Sequence, residues 1–236
     1  METMWIEIGG FRIQAPVTAG TSLVLAVQCF LYFRSLRTGA GARSRLWSGF
    51  FLMMAIATFA GVFKHGFRHE LSETGLFLVL WVSSLASGIS TYFAQRATLV
   101  AHAPEHLKRR LERLLQAQLF LFLAVNVALG PRILLLVVNT AVGLLPVIGV
   151  EARAFRRGHP DAGWIAGGLS LSILTGAVYA AGLSVGPWLN HIDIAHLLMG
   201  VSFWLMVRGC RPHGITPREY VVAVAPMRMT TFPGGF

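Results

Sequence analysis

Residues 113–150 read RLLQAQLFLFLAVNVALGPRILLLVVNTAVGLLPVIGV. Two apolar runs, each close to the ~20 residues that cross the hydrocarbon core of a bilayer, meet across three residues, Gly130, Pro131 and Arg132. Gly and Pro interrupt a helix, so the segment predicts a tight helical hairpin. Strands of a membrane barrel would alternate polar and apolar residues over about half this length, which excludes that form.

Working outward, five more runs of the same kind appear, giving seven at roughly 16–33, 46–64, 75–95, 113–129, 131–150, 163–184 and 188–207. The composition agrees with lipid as the solvent: of 236 residues 55% are hydrophobic and 13% charged, with a mean hydropathy of +0.63. A soluble domain carries about 25% charged residues. The expected fold is all-α, a seven-helix transmembrane bundle over 1–208, followed by a flexible cytoplasmic tail over 209–236 that holds four prolines.

Charge sets the orientation. The net charge is +10, and only two of the twenty basic residues are lysines. Arginines gather in alternate loops: Arg34, Arg37, Arg43 and Arg45; then Arg96, Lys108, Arg109, Arg110 and Arg113; then Arg153, Arg156 and Arg157; then the tail. The opposite loops are poor in cations. The positive-inside rule therefore predicts an extracytoplasmic N-terminus and a cytoplasmic C-terminus, with the arginines meeting anionic membrane lipids. The expected place is a bacterial inner membrane. No basic motif with interleaved aromatics suggests nucleic acid. Cys29 and Cys210 form no CxxC motif or disulfide framework. A basic leader segment is absent, so the first run reads as retained. No span carries a lysine suited to a retinal Schiff base.

Ionisable groups inside a membrane are expensive and by default functional. In PWLNHIDIAHLLMGVSFWLM, residues 187–206, Asp193 is the only carboxylate read as lying well inside a span, and His196 follows three residues later on the same helical face. His191 points about 140° away from His196 at ~100° per residue. In AGVFKHGFRHE, residues 60–70, His65 and His69 close the second run. The alternation of spans puts both clusters on the same side of the membrane. His65, Asp193 and His196 thus form a candidate metal set: zinc takes imidazole nitrogen and carboxylate oxygen, with three protein ligands and a water in catalytic sites. His69 and His191 are possible additions. Ser83, Ser84, Ser87, Ser90 and Thr91 form a stripe on the third run that favours helix packing, with Ser87 as a candidate catalytic neighbour. The plainer readings are snorkelling of His65 and His69 beside Lys64 and Arg68, and a metal-free hydrogen-bonded pair of Asp193 and His196. His102, His106 and His159 read as solvated. Asn126 and Asn139 read as glue between helices.

Seven helices with the N-terminus outside, AGVFKHGF late in the second and DIAHLLMG early in the seventh resemble the CREST superfamily, which includes alkaline ceramidases and progestin/adipoQ receptors. The resemblance runs across nearly the whole chain. It implies zinc between one helix-two and two helix-seven histidines, here His65 and His196 with Asp193 or His191 in place of the missing ligand. It also implies hydrolysis of a lipid amide, which the chain's own residues widen to a lipid amide or ester with Asp193 catalytic. The chain departs from that pattern: the residue four before His196 is Ile192, the helix-two serine position is Gly61, and only Glu70 or Glu73 stands near the start of the third helix. The alternatives are a non-catalytic lipid receptor or sensor and a small proton-coupled transporter. In each case the expected partner is a lipid-like small molecule.

Overall fold

A computed structural model describes residues 5–39, 41–186 and 188–211. Seven helices dominate it: α1 (Pro16–Arg37), α2 (Ala42–Gly66), α3 (Glu73–His102), α4 (Glu105–Leu129), α5 (Ile133–Arg156), α6 (Pro160–Ala180) and α7 (His191–Cys210). All seven are long and apolar enough to cross a membrane, the make-up of a multi-pass membrane protein. The hairpin predicted at Gly130 forms, with Gly130 at φ 75 between α4 and α5. Residues 212–236, most of the expected tail, lie outside the described residues, while Gly209 and Cys210 complete α7.

Ahead of α1 the chain makes an antiparallel hairpin that the apolar runs do not announce. Strand β1 (Trp5–Ile8) pairs with β2 (Phe11–Gln14), Trp5 opposite Gln14 and Ile6 opposite Ile13. Gly9 and Gly10 make the turn at φ 58 and φ 83, the positive pair that a two-residue hairpin loop of matching twist requires.

The helices pack as a ring. α1 lies between α2 and α7, α2 against α3, α3 against α5, and α5–α6–α7 close the circle. α4 stands outside, packed mainly on α3, and buries only Phe122 and Asn126. Gly88 on α3 gives Phe122 its socket: a Cβ there would overlap the phenyl ring. Small residues set close approach elsewhere too, since a Cβ on Gly168 or Gly209 would strike α7 or α6 backbone. This is the packing mode of membrane helices, whose association lacks a hydrophobic drive and depends on contact and interhelical hydrogen bonds.

Polar side chains on these faces are paired as glue. Asn126 donates to Ser84 Oγ at 3.0 Å, and Gln118 bridges Gln95 (2.9 Å) and Asn139 Oδ1 (3.2 Å), joining α3, α4 and α5. Inside the ring, Trp47, Phe50, Phe51 and Phe203 are buried and stack edge to face at centroid separations of 5.2–6.1 Å. Along α2 and α7 this aromatic cluster lies between two polar ends of the bundle.

Candidate functional site

One end is assembled by α1, α2 and α7. The first turns of α7 owe their form to a capping box. Asn190 Oδ1 accepts from the backbone N–H groups of Ile192 (2.8 Å) and Asp193 (3.3 Å), and Asp193 Oδ2 accepts from the Asn190 N–H at 3.0 Å. The reciprocal pair satisfies donors that a helix N-terminus otherwise leaves open. Asp193 is fully buried, and its second oxygen, Oδ1, has no hydrogen-bond partner. Asn190 also ties α7 to α1 by donating to Thr18 Oγ1 at 3.1 Å.

One turn further along α7, His196 turns toward α1 and α2. Its Nδ1 lies 2.9 Å from Thr21 Oγ1, and its ring stands 6.2 Å from that of His65, centroid to centroid, at 74°. The Thr21 hydroxyl is also 3.1 Å from the Thr18 carbonyl. With its single proton on that carbonyl, Thr21 accepts from Nδ1–H, and Nε2 of His196 keeps a free lone pair. Both histidines and Thr21 are half-buried. Gly61, one turn before His65, leaves room beside the pair: a Cβ there would sit 3.5 Å from Ser22 Oγ and 4.0 Å from the His65 ring. Large apolar side chains, among them Phe59, Phe63, Leu197 and Val201, stand exposed on the same helices.

The other sequence candidates lie apart. His69 is exposed in the turn after α2. His191 opens α7 with its ring 5.3 Å from that of Tyr179 on α6. Ser87 donates to the Ser83 carbonyl within α3 at 2.8 Å, and no hydrogen bond links it to the histidine pair. Glu70 and Glu73 are exposed. The hydroxyl in contact with the pair comes instead from Thr21 of α1, which no sequence motif singles out beyond the small-polar run TAGTS (18–22).

The residues fit the expected zinc site incompletely. Two imidazoles come together, and Thr21 supplies the kind of partner that orients a ligating histidine. A catalytic zinc takes three protein ligands. Among the described residues no three His, Cys, Asp or Glu side chains converge as such a site requires. Asp193, the expected third, is engaged through Oδ2 in the cap of its own helix. No chemical step through a metal follows from this arrangement.

The opposite end holds a second polar cluster. Glu151 follows the end of the fifth apolar run, and His102 reads as solvated, yet both belong to helices. α5 continues past its apolar run through EARAFR to Arg156, because Ala, Glu and Arg favour helix and the end of hydropathy is not the end of a helix. Glu151 is fully buried. Its carboxylate accepts from Arg43 Nη2 (3.0 and 3.3 Å), Thr98 Oγ1 (2.7 Å) and His102 Nε2 (3.2 Å). The His102 ring lies 6.0 Å from that of His159, which precedes α6. Asp193 is therefore not the only carboxylate inside the bundle.

Residues 17–213 match a family described as a family of unknown function, DUF6962. No curated protein and no solved structure matches the chain.

Proposed function

The chain belongs to the DUF6962 family, and from that premise we propose that it is a multi-pass protein of a bacterial inner membrane that binds a lipid-like molecule at the His65–His196 pair. The observation that carries this reading is the pair itself: two half-buried imidazoles, 6.2 Å apart, set among exposed apolar side chains at one end of the bundle. A group placed there meets two nitrogen donor–acceptor sites and the Thr21 hydroxyl, while its tail stays in an apolar surround. Few convergent polar groups in an apolar setting are the usual make-up of a small-molecule site. The arginine-rich loops all sit at the Glu151 end, so the positive-inside rule turns the histidine pair to the extracytoplasmic leaflet.

The aromatic cluster of Trp47, Phe50, Phe51 and Phe203 favours binding over transport, since it lies between the two polar ends. Native mass spectrometry of protein extracted gently from membranes tests the proposal. Wild type is expected to retain a lipid adduct that His65→Ala and His196→Ala both lose. Equal adducts in all three would refute it.

A second reading, metal-dependent hydrolysis of a lipid amide or ester, is favoured by Asp193 Oδ1, the buried carboxylate oxygen without a partner. A bound zinc would supply Lewis acidity and a nucleophilic hydroxide near neutral pH. His65 and His196 would hold it, and Asp193 would have to leave its cap to join them. Metal analysis of the purified wild type and the same two variants separates the readings: near-stoichiometric zinc lost in both variants establishes the second, and its absence from folded wild type leaves the first.

A further inference from the structure

The Glu151 cluster lies outside the proposed binding site. A fully buried carboxylate is costly unless it is paired and hydrogen-bonded, and this one is held by three side chains on two other helices. Arg43 stands in the first turn of α2, and Thr98 and His102 in the last turns of α3. Five residues before Glu151, Pro146 lies inside the continuous helix α5. Proline removes one helical hydrogen bond and crowds the carbonyl four residues back, here that of Val142, which makes it the usual seat of a helix kink. The last turns of α5 are thus joined to the rest of the helix at a weakened point and pinned at Glu151.

We propose that Glu151 is the bolt of a conformational latch. While its carboxylate is charged, residues 147–156 are fastened to α2 and α3; when that charge is removed, the segment swings about Pro146. The ten-residue arm is ~15 Å long. A change of ~20° in the kink would carry its end by about 5 Å, a displacement large enough to measure.

The test places spin labels at the exposed positions Arg45→Cys and Arg153→Cys of the full chain in lipid nanodiscs. The buried cysteines are first replaced as Cys29→Ala and Cys210→Ala. Distances are then compared by pulsed electron resonance. With Glu151 intact a single narrow distance is expected; Glu151→Gln should shift it by about 5 Å and broaden it. Arg43→Gln, which cuts the same contact from a less buried side chain, should act in the same direction. Adding Pro146→Ala to Glu151→Gln should restore the narrow distance, because the hinge is gone. An unchanged distribution in Glu151→Gln and Arg43→Gln would overturn the latch. A broadened distribution that persists with Pro146→Ala would overturn the hinge.

Discussion

His196 Nδ1 lies 2.9 Å from Thr21 Oγ1, which binds the seventh helix to the first, while the same ring stands 6.2 Å from that of His65. The arrangement joins a structural contact to the candidate site, so the two roles can be separated by substitution.

Thr21→Val keeps the shape of the side chain and removes its hydroxyl. A lost neutral hydrogen bond of ~1 kcal/mol should weaken lipid retention about fivefold, with Thr21→Ser close to wild type. Nitrogen chemical shifts of the His196 ring provide a check that does not depend on the ligand. They should show the proton on Nδ1 in wild type and lose that preference in Thr21→Val. If Thr21→Val left both the shifts and the retention unchanged, Thr21 would not orient the ring.

Asp193 has one oxygen in a helix cap and one without a partner. Asp193→Ala removes the cap interaction and should cost ~1 kcal/mol, read as a lower melting temperature in detergent. Asp193→Asn keeps an acceptor for the Asn190 N–H and should melt nearer to wild type. A charged role at the histidine pair predicts a different pattern, in which Asp193→Asn melts normally yet loses any bound zinc.

Arg43 and Glu151 should behave as a coupled pair. Removing one partner of a buried ion pair strands the other charge, at a cost of ~3–5 kcal/mol. Arg43→Ala and Glu151→Ala are therefore each expected to destabilise strongly, while the double variant loses less than their sum. A double-mutant cycle on unfolding in detergent measures the coupling. Strict additivity would show that the pair contributes nothing specific.

The outer helix α4 depends on the socket at Gly88. Gly88→Leu should lift Phe122 from α3 and weaken the Asn126–Ser84 bond beside it. A cysteine pair introduced across α3 and α4 should then cross-link less readily than in the wild-type background. Undiminished cross-linking would show that the interhelical amides alone hold α4 in place.

The proposed orientation rests on charge and can be read directly. Reporter fusions ending in the α1–α2 or α5–α6 connections should report cytoplasm, and those ending near Gly130 or Gly186 should report the opposite side. Inverted signals would reverse the placing of the histidine pair without changing its geometry.

Most of the helical frame was legible in the chain, because crossing lipid demands long apolar helices and their ends are marked by Gly, Pro and charge. The hairpin at Gly130 and the interhelical hydrogen bonds of Asn126 to Ser84 and of Asn139 to Gln118 follow from that demand. Apolar length does not mark the strands at Trp5–Ile8 and Phe11–Gln14, which are four alternating residues each and are signalled only by the Gly9–Gly10 turn. The place of Glu151 is hidden for a related reason: helices outrun their apolar stretches, and this residue stands one step beyond a hydropathy boundary.

By itself the sequence determined that there are seven long apolar helices, with histidines late in α2 and early in α7. Periodicity and hydropathy are local properties, and each helix displays them without its neighbours. Only the tertiary structure decided that His65 meets His196, that Thr21 is their companion, that Asp193 is spent on a helix cap and that α4 stands outside the ring. Those facts depend on which helix faces are adjacent. In a membrane that choice comes from the fit of small residues and interhelical hydrogen bonds, since burial of apolar surface gives no preference among faces that are all apolar.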